Sequence, residues 1–172
     1  MTIEKTRRFT TLAMLTAVAI ALNIFESVYI GPIFGMLRIG LANIASLLAL
    51  KLLGKKEMAI VSVMRVVFGS LLRGTIFGST FWISAGGVFL SSAVMLLCGR
   101  FESSVLFTSA AGAVAHSLGQ VLTVAALYMQ AGVAAILPYL LLGSVPTGIL
   151  TGIVADQVLK RIKPLNKNSS PE

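Results

Sequence analysis

The chain has 172 residues, of which 56% are hydrophobic and only 12% charged, and its mean hydropathy is +0.93. An ordinary soluble domain carries about 25% charged residues, so a globular core with a polar shell is excluded and a polytopic membrane protein is expected. Six spans of about 20 residues use about 120 residues, which leaves no room for an appended soluble catalytic domain. The net charge of +8 does not point to nucleic acid, because the basic residues flank apolar runs instead of forming a stripe.

The first apolar run covers residues 9–30, follows Lys5, Arg7 and Arg8, and stops at Gly31-Pro32. A basic start with Ala17-Val18-Ala19 inside the run resembles a cleavable signal. The run continues through Phe25 to Ile30, long enough to span, and is expected to be retained. The second run, residues 36–53, ends at Gly54-Lys55-Lys56, and the third, residues 57–74, ends in the stretch bracketed by Gly74 and Gly78. The fourth, residues 79–98, stops at Gly99-Arg100; the fifth, residues 104–129, at Gln130-Ala131-Gly132; the sixth covers residues 134–159. These breakers are the expected joints between helices. Hydrocarbon leaves helices as the only choice for an unclosed backbone, so residues 1–163 are read as a single all-α, six-transmembrane-helix bundle. Residues 164–172 form a short polar C-terminal tail.

Charge gives the orientation. With the amino terminus in the cytoplasm, the inner side receives Lys5, Arg7, Arg8, Lys51, Lys55, Lys56, Arg100, Lys160, Arg161, Lys163 and Lys167, leaving Arg38, Arg65 and Arg73 elsewhere. The positive-inside rule favours this arrangement. Both termini are then cytoplasmic, which requires an even number of spans, and the location expected is the cytoplasmic (inner) membrane.

Composition also removes classes of chemistry. One histidine and one cysteine are too few for a zinc site, which takes three or four ligands. Cys98 alone cannot form an internal disulfide. No G-x-x-x-x-G-K-[ST] phosphate loop occurs, so the chain has no ATPase of its own. No catalytic residue, metal or cofactor is assigned.

The informative residues are those that are costly in lipid, since a charge at mid-bilayer costs on the order of 2.5–3.5 kcal/mol and usually faces the bundle interior. Counting about 1.5 Å per residue from the cytoplasmic ends puts Asn43, Arg65 and His116 near the middle. The same count places Glu26, Arg38, Arg73 and Gln120 in the outer half, with His116 and Gln120 on one face of the fifth helix. One reading is a polar cavity, open or gated toward the outside, that holds a small ligand with an anionic or hydrogen-bonding group. The other is helix glue, in which Glu26 pairs with Arg73 while Asn43 and Arg65 satisfy each other. Arg38 alone is also explained by snorkelling to the interface.

Glu57 and Glu102 are placed in first helical turns, where the macrodipole favours anions, and Asp156 is placed to pair with Lys160. Ala13, Ala17 and Ala21 repeat every four residues on the first helix, as do Gly148 and Gly152 on the sixth. Such faces let backbones approach closely, either inside the protein or against another membrane subunit.

The stretch Arg38-Ile39-Gly40-Leu41-Ala42-Asn43-Ile44 resembles the Gx transporter family, also called heptaprenyl diphosphate synthase component I. Further matches are Arg65 with Gly74-Thr75, Ser84-Ala85-Gly86-Gly87 with Ser91, and Gly112 to His116 with Gly119-Gln120, followed by Pro138 and Thr147-Gly148. Ser117 departs from the asparagine expected after that histidine. The family is similar in size and layout to the substrate-binding S-components of energy-coupling-factor vitamin transporters.

That resemblance implies that Ala13, Ala17 and Ala21 dock onto an energising transmembrane coupling subunit with ATPases, and that Gly31 to Leu37 gate the site. It also implies that Glu26, Arg38, Asn43, Arg65, Arg73, His116 and Gln120 surround an unknown small-molecule ligand. The alternative is a non-catalytic membrane subunit associated with heptaprenyl diphosphate or menaquinone synthesis, or with a quinone-linked electron-transfer system. A prenyl synthase catalytic subunit is then the partner. The chain itself is not expected to be the synthase. Prenyl synthases resemble one another in two aspartate-rich magnesium motifs, and the one aspartate here is Asp156.

Overall fold

A computed structural model describes residues 3–30, 40–129, 132, 135 and 137–162. Among these residues six α-helices follow one another with no strand: α1 (Ile3–Phe25), α2 (Asn43–Leu52), α3 (Lys55–Leu72), α4 (Ser79–Arg100), α5 (Val105–Tyr128) and α6 (Leu137–Arg161). α1 continues into a wider π-helical turn, Glu26–Ile30. Each of the six expected apolar runs overlaps one of these helices. Arg38, the Gly31–Leu37 segment, Gln130-Ala131 and the 164–172 tail lie outside the described residues.

Four of the helices are long and apolar enough to cross a bilayer: Ile3–Tyr29, which includes the π-helical turn, Ser79–Arg100, Val105–Tyr128 and Leu137–Arg161. α3 carries Lys55, Lys56, Glu57 and Arg65 within its 18 residues. α2 differs most from expectation. It begins at Asn43 and not near residue 36, because Gly40 turns the chain at a φ of +80°. The Asn43 N–H donates to the Gly40 carbonyl at 2.8 Å, closing that turn just before the helix. At ten residues, α2 covers only about 15 Å, half of the hydrocarbon thickness of about 30 Å.

The short helix is the hub of the bundle. α2 touches α1, α3, α4, α5 and α6, while α5 lies between α4 and α6, and α1 packs on α2 and α3. A helix apolar on all sides is stable only when surrounded, and Leu47, Leu48, Leu50 and Leu52 accordingly share one core with Met58, Val61, Met95 and Ala155. The outer surface is apolar too: Phe89 is 77% exposed and Leu142 74%. Large exposed apolar side chains over long apolar helices identify a membrane-embedded protein.

The turns follow known end rules. α3 closes in a Schellman motif: Thr75 N–H reaches the Ser70 carbonyl at 2.9 Å and Gly74 N–H the Leu71 carbonyl at 3.0 Å. Gly74 takes the left-handed position (φ +67°) that this motif requires. α4 ends the same way, with Ser103 N–H on the Cys98 carbonyl at 3.2 Å and Glu102 left-handed at φ +51°. Glu102 therefore belongs to the end of α4. The expected place in the first turn of α5 is corrected, because that helix is capped by the Ser104 hydroxyl, which accepts from Phe107 N–H. A side chain in the left-handed region costs about 1–2 kcal/mol. Glu102→Gly is therefore expected to raise the thermal midpoint of unfolding by a few degrees; no change would mean that the surrounding contacts already offset the strain.

Glu57 does lie in the first turn of α3, where Arg8 of α1 also binds it at 2.6 Å. Lys160 and Asp156 pair at 2.6 Å. The two small-residue stripes part company. Gly148 and Gly152 are internal: a Cβ on Gly148 would lie 2.8 Å from Ala110 Cα, and one on Gly152 3.0 Å from Leu106 Cα. Ala13, Ala17 and Ala21 are exposed.

Candidate functional site

Polar side chains collect where α1 ends, α2 begins and α3 passes both. Glu26, on the π-helical turn, is 2% exposed, and its carboxylate accepts the N–H of Gly40. π-helical turns shift side chains relative to the regular helix and often occur at functional sites. Through Gly40, Glu26 is joined to the first residue of α2. Asn43 Oδ1 then accepts from Arg65 Nη2 at 2.6 Å. The result is a buried series running from Glu26 through Gly40 and Asn43 to Arg65. One turn below, the hydroxyls of Ser46 and Ser62 bond across α2 and α3 at 3.0 Å.

Arg73, at the end of α3, does not take the place expected for it in the helix-glue reading. Its Nε donates to the Gly69 carbonyl at 2.7 Å and its Nη2 reaches Asn23 Oδ1 at 3.5 Å. Asn23 is buried and is the residue that sequence reading missed. Its signal was available: it lies three residues before Glu26, on the same face of α1. Gly69 makes room for it, since a Cβ there would lie 2.6 Å from Asn23 Oδ1.

A second group forms on the seam between α4 and α5. His116, Ser117 and Gln120 are all buried, and the first and last of these pack against Gly87. A Cβ on Gly87 would fall 2.8 Å from Gln120 Cγ and 2.9 Å from His116 Cε1. Gly119 brings the two backbones together, because its own Cβ would lie 2.5 Å from the Gly86 carbonyl oxygen. The glycines thus set how close the imidazole and the amide come to α4.

The polar interior, with Asn43 and Arg65 in the first group and His116 and Gln120 in the second, is closed in this arrangement, each of the four being under 5% exposed. It is nonetheless underused. Asn43 Nδ2, Gln120 Nε2, Ser70 Oγ and Ser91 Oγ are buried without a hydrogen-bond partner among the described residues. An unsatisfied buried polar group costs about 1–3 kcal/mol. Two of the four are amide donors beside a buried guanidinium or imidazole, an arrangement that suits a ligand bearing acceptor oxygens. Among the described residues no group of three His, Cys, Asp or Glu is placed to hold a metal. A cavity of about 460 Å³ lies elsewhere, between α3 and α4, and is apolar.

Fold and cluster together define a membrane-embedded helical subunit with a polar interior. The chain matches the family model for heptaprenyl diphosphate synthase component I over residues 15–158, and it belongs to that family. No curated protein and no solved structure matches it.

Proposed function

We propose that this chain is the solute-binding membrane subunit of an uptake system energised by a separate nucleotide-hydrolysing module, and that it has no enzymatic activity of its own. The observation that carries this reading is two buried amide donors left without acceptors among the described residues, Asn43 Nδ2 next to the Arg65 guanidinium and Gln120 Nε2 on the α4–α5 seam with His116. A small anionic or carbonyl-rich solute supplies those acceptors. The bundle sits in the cytoplasmic membrane with both termini inside, and the solute enters from outside. The exposed face of Ala13, Ala17 and Ala21 is suited to docking a transmembrane coupling subunit.

A second reading is favoured by the family match: a non-catalytic membrane component that holds a prenyl synthase catalytic subunit at the bilayer. One experiment separates the two. The protein is purified from its native membrane in mild detergent, and co-purifying proteins and small molecules are identified by mass spectrometry. An ATPase pair with a coupling subunit, and a retained polar solute, is the expected result. Recovery of a prenyl synthase, together with a shift of synthase activity to the soluble fraction when the protein is deleted, would replace the uptake reading with the second.

A further inference from the structure

The apolar cavity between α3 and α4 has a feature that the polar cluster does not explain. Its walls are Ala59, Val63 and Val67 on one side and Ala85, Phe89 and Ala93 on the other, with Phe81 and Leu96 at its ends. Its volume of about 460 Å³ lies in the usual range of about 300–1,000 Å³ for ligand sites, yet its lining offers almost nothing to a polar solute. Along α4 it runs from Phe81 to Leu96, about 22 Å.

One end is marked by charge. Lys55 and Lys56 lie one turn before Ala59 on α3, at the spacing that puts them on the same face. Arg100 lies one turn after Leu96 on α4, four residues along and seven from Ala93. All three cations are exposed, and they meet at one end of the groove because α3 and α4 are joined by a short turn at the other end. Of the nearby carboxylates, Glu57 is held by Arg8 at 2.6 Å, and Glu102 occupies the turn beyond Arg100. The local balance is therefore cationic.

We propose that this groove holds one acyl chain of an anionic phospholipid, with the phosphate headgroup on Lys55, Lys56 and Arg100. The groove opens on helix faces that meet hydrocarbon, so its occupant arrives from the bilayer. Basic residues at the membrane surface attract anionic lipids by about 1 kcal/mol each. The apolar walls add the selectivity for a chain, and of the buried polar groups described above only Ser62 reaches the lining.

The test uses the full chain, reconstituted in vesicles of equal parts palmitoyl-oleoyl phosphatidylglycerol and phosphatidylcholine. After extraction into mild detergent, the lipids retained are counted by native mass spectrometry. One phosphatidylglycerol per chain is expected, enriched about a hundredfold over phosphatidylcholine, as about 1 kcal/mol from each of the three cations implies. Lys55→Gln/Lys56→Gln/Arg100→Gln should bring the ratio to about one, and Ala93→Phe should expel the lipid by filling the groove. Both variants alter exposed positions, and an unchanged thermal melt verifies that they fold. Equal retention of the two lipids overturns the proposal, as does phosphatidylglycerol retained by Ala93→Phe. Displacement of the lipid by farnesyl diphosphate but not by inorganic pyrophosphate would reassign the groove to an isoprenoid chain.

Discussion

Gly119→Val should lower the thermal midpoint by roughly 6–12 °C, from an overpacking cost of about 3 kcal/mol and about 2–4 °C per kcal/mol for a chain of this size. The cause is local and cannot relax by a rotamer change. The added carbon would stand 2.5 Å from the Gly86 carbonyl oxygen and 2.9 Å from Gly87 Cα, both backbone atoms of α4. α4 and α5 must separate, and the contact of Gly87 with His116 and Gln120 opens with them. On the proposed uptake reading, binding of the solute should therefore be lost along with stability. Gly143→Ala on α6 is the matched control, because nothing lies within 4 Å of its added carbon. That change should leave binding intact and stabilise by up to about 1 kcal/mol through helix propensity. Equal effects of the two substitutions, read by thermal melts in one detergent, would show that the α4–α5 approach is not a constraint.

The second large effect concerns Asn43 and Arg65. A hydrogen bond to a charged group contributes about 1.5–3 kcal/mol, whereas replacing both partners by apolar groups of similar shape can be nearly neutral. Asn43→Leu leaves the Arg65 guanidinium without the acceptor it reaches at 2.6 Å and should be the most destabilising single change of the pair. Arg65→Met should cost less, and the double variant should recover much of the loss, giving a coupling of at least about 1 kcal/mol in a double-mutant cycle. Function should follow another pattern. Solute uptake should be absent in all three variants and in Arg73→Gln, including the well-folded double variant. A double variant that is stable and still transports would reduce the buried series to helix glue and remove the proposed site.

The six helices were legible because each has an apolar run and a breaker, and four of them are long and apolar enough to cross a bilayer. What the sequence could not reveal was which surfaces meet. Gly148-Gly152 and Ala13-Ala17-Ala21 have the same spacing, yet one pattern is sealed against α5 and the other faces outward. Spacing describes a helix face, whereas partners are set by the order in which helices surround α2. The start of α2 was misplaced for a related reason. Its flanking residues are as apolar as the helix, and only the left-handed turn at Gly40 separates them. The candidate residues were chosen by the cost of polar groups in lipid, which selected Glu26, Asn43 and Arg65 but passed over Asn23, whose amide oxygen accepts from Arg73. The pairing of Glu102 with the end of α4 depends on a backbone angle that carries no compositional signal.

The half-length α2 has a consequence for permeation. Asn43 opens α2, and the helix from there to Leu52 is a leucine-rich plug that touches all five other helices. Those ten residues set about 15 Å of packed hydrocarbon at the centre of the bundle. On the proposed uptake reading, a solute held beside Asn43 cannot pass that plug by diffusion, and its discharge demands that the helices themselves be rearranged.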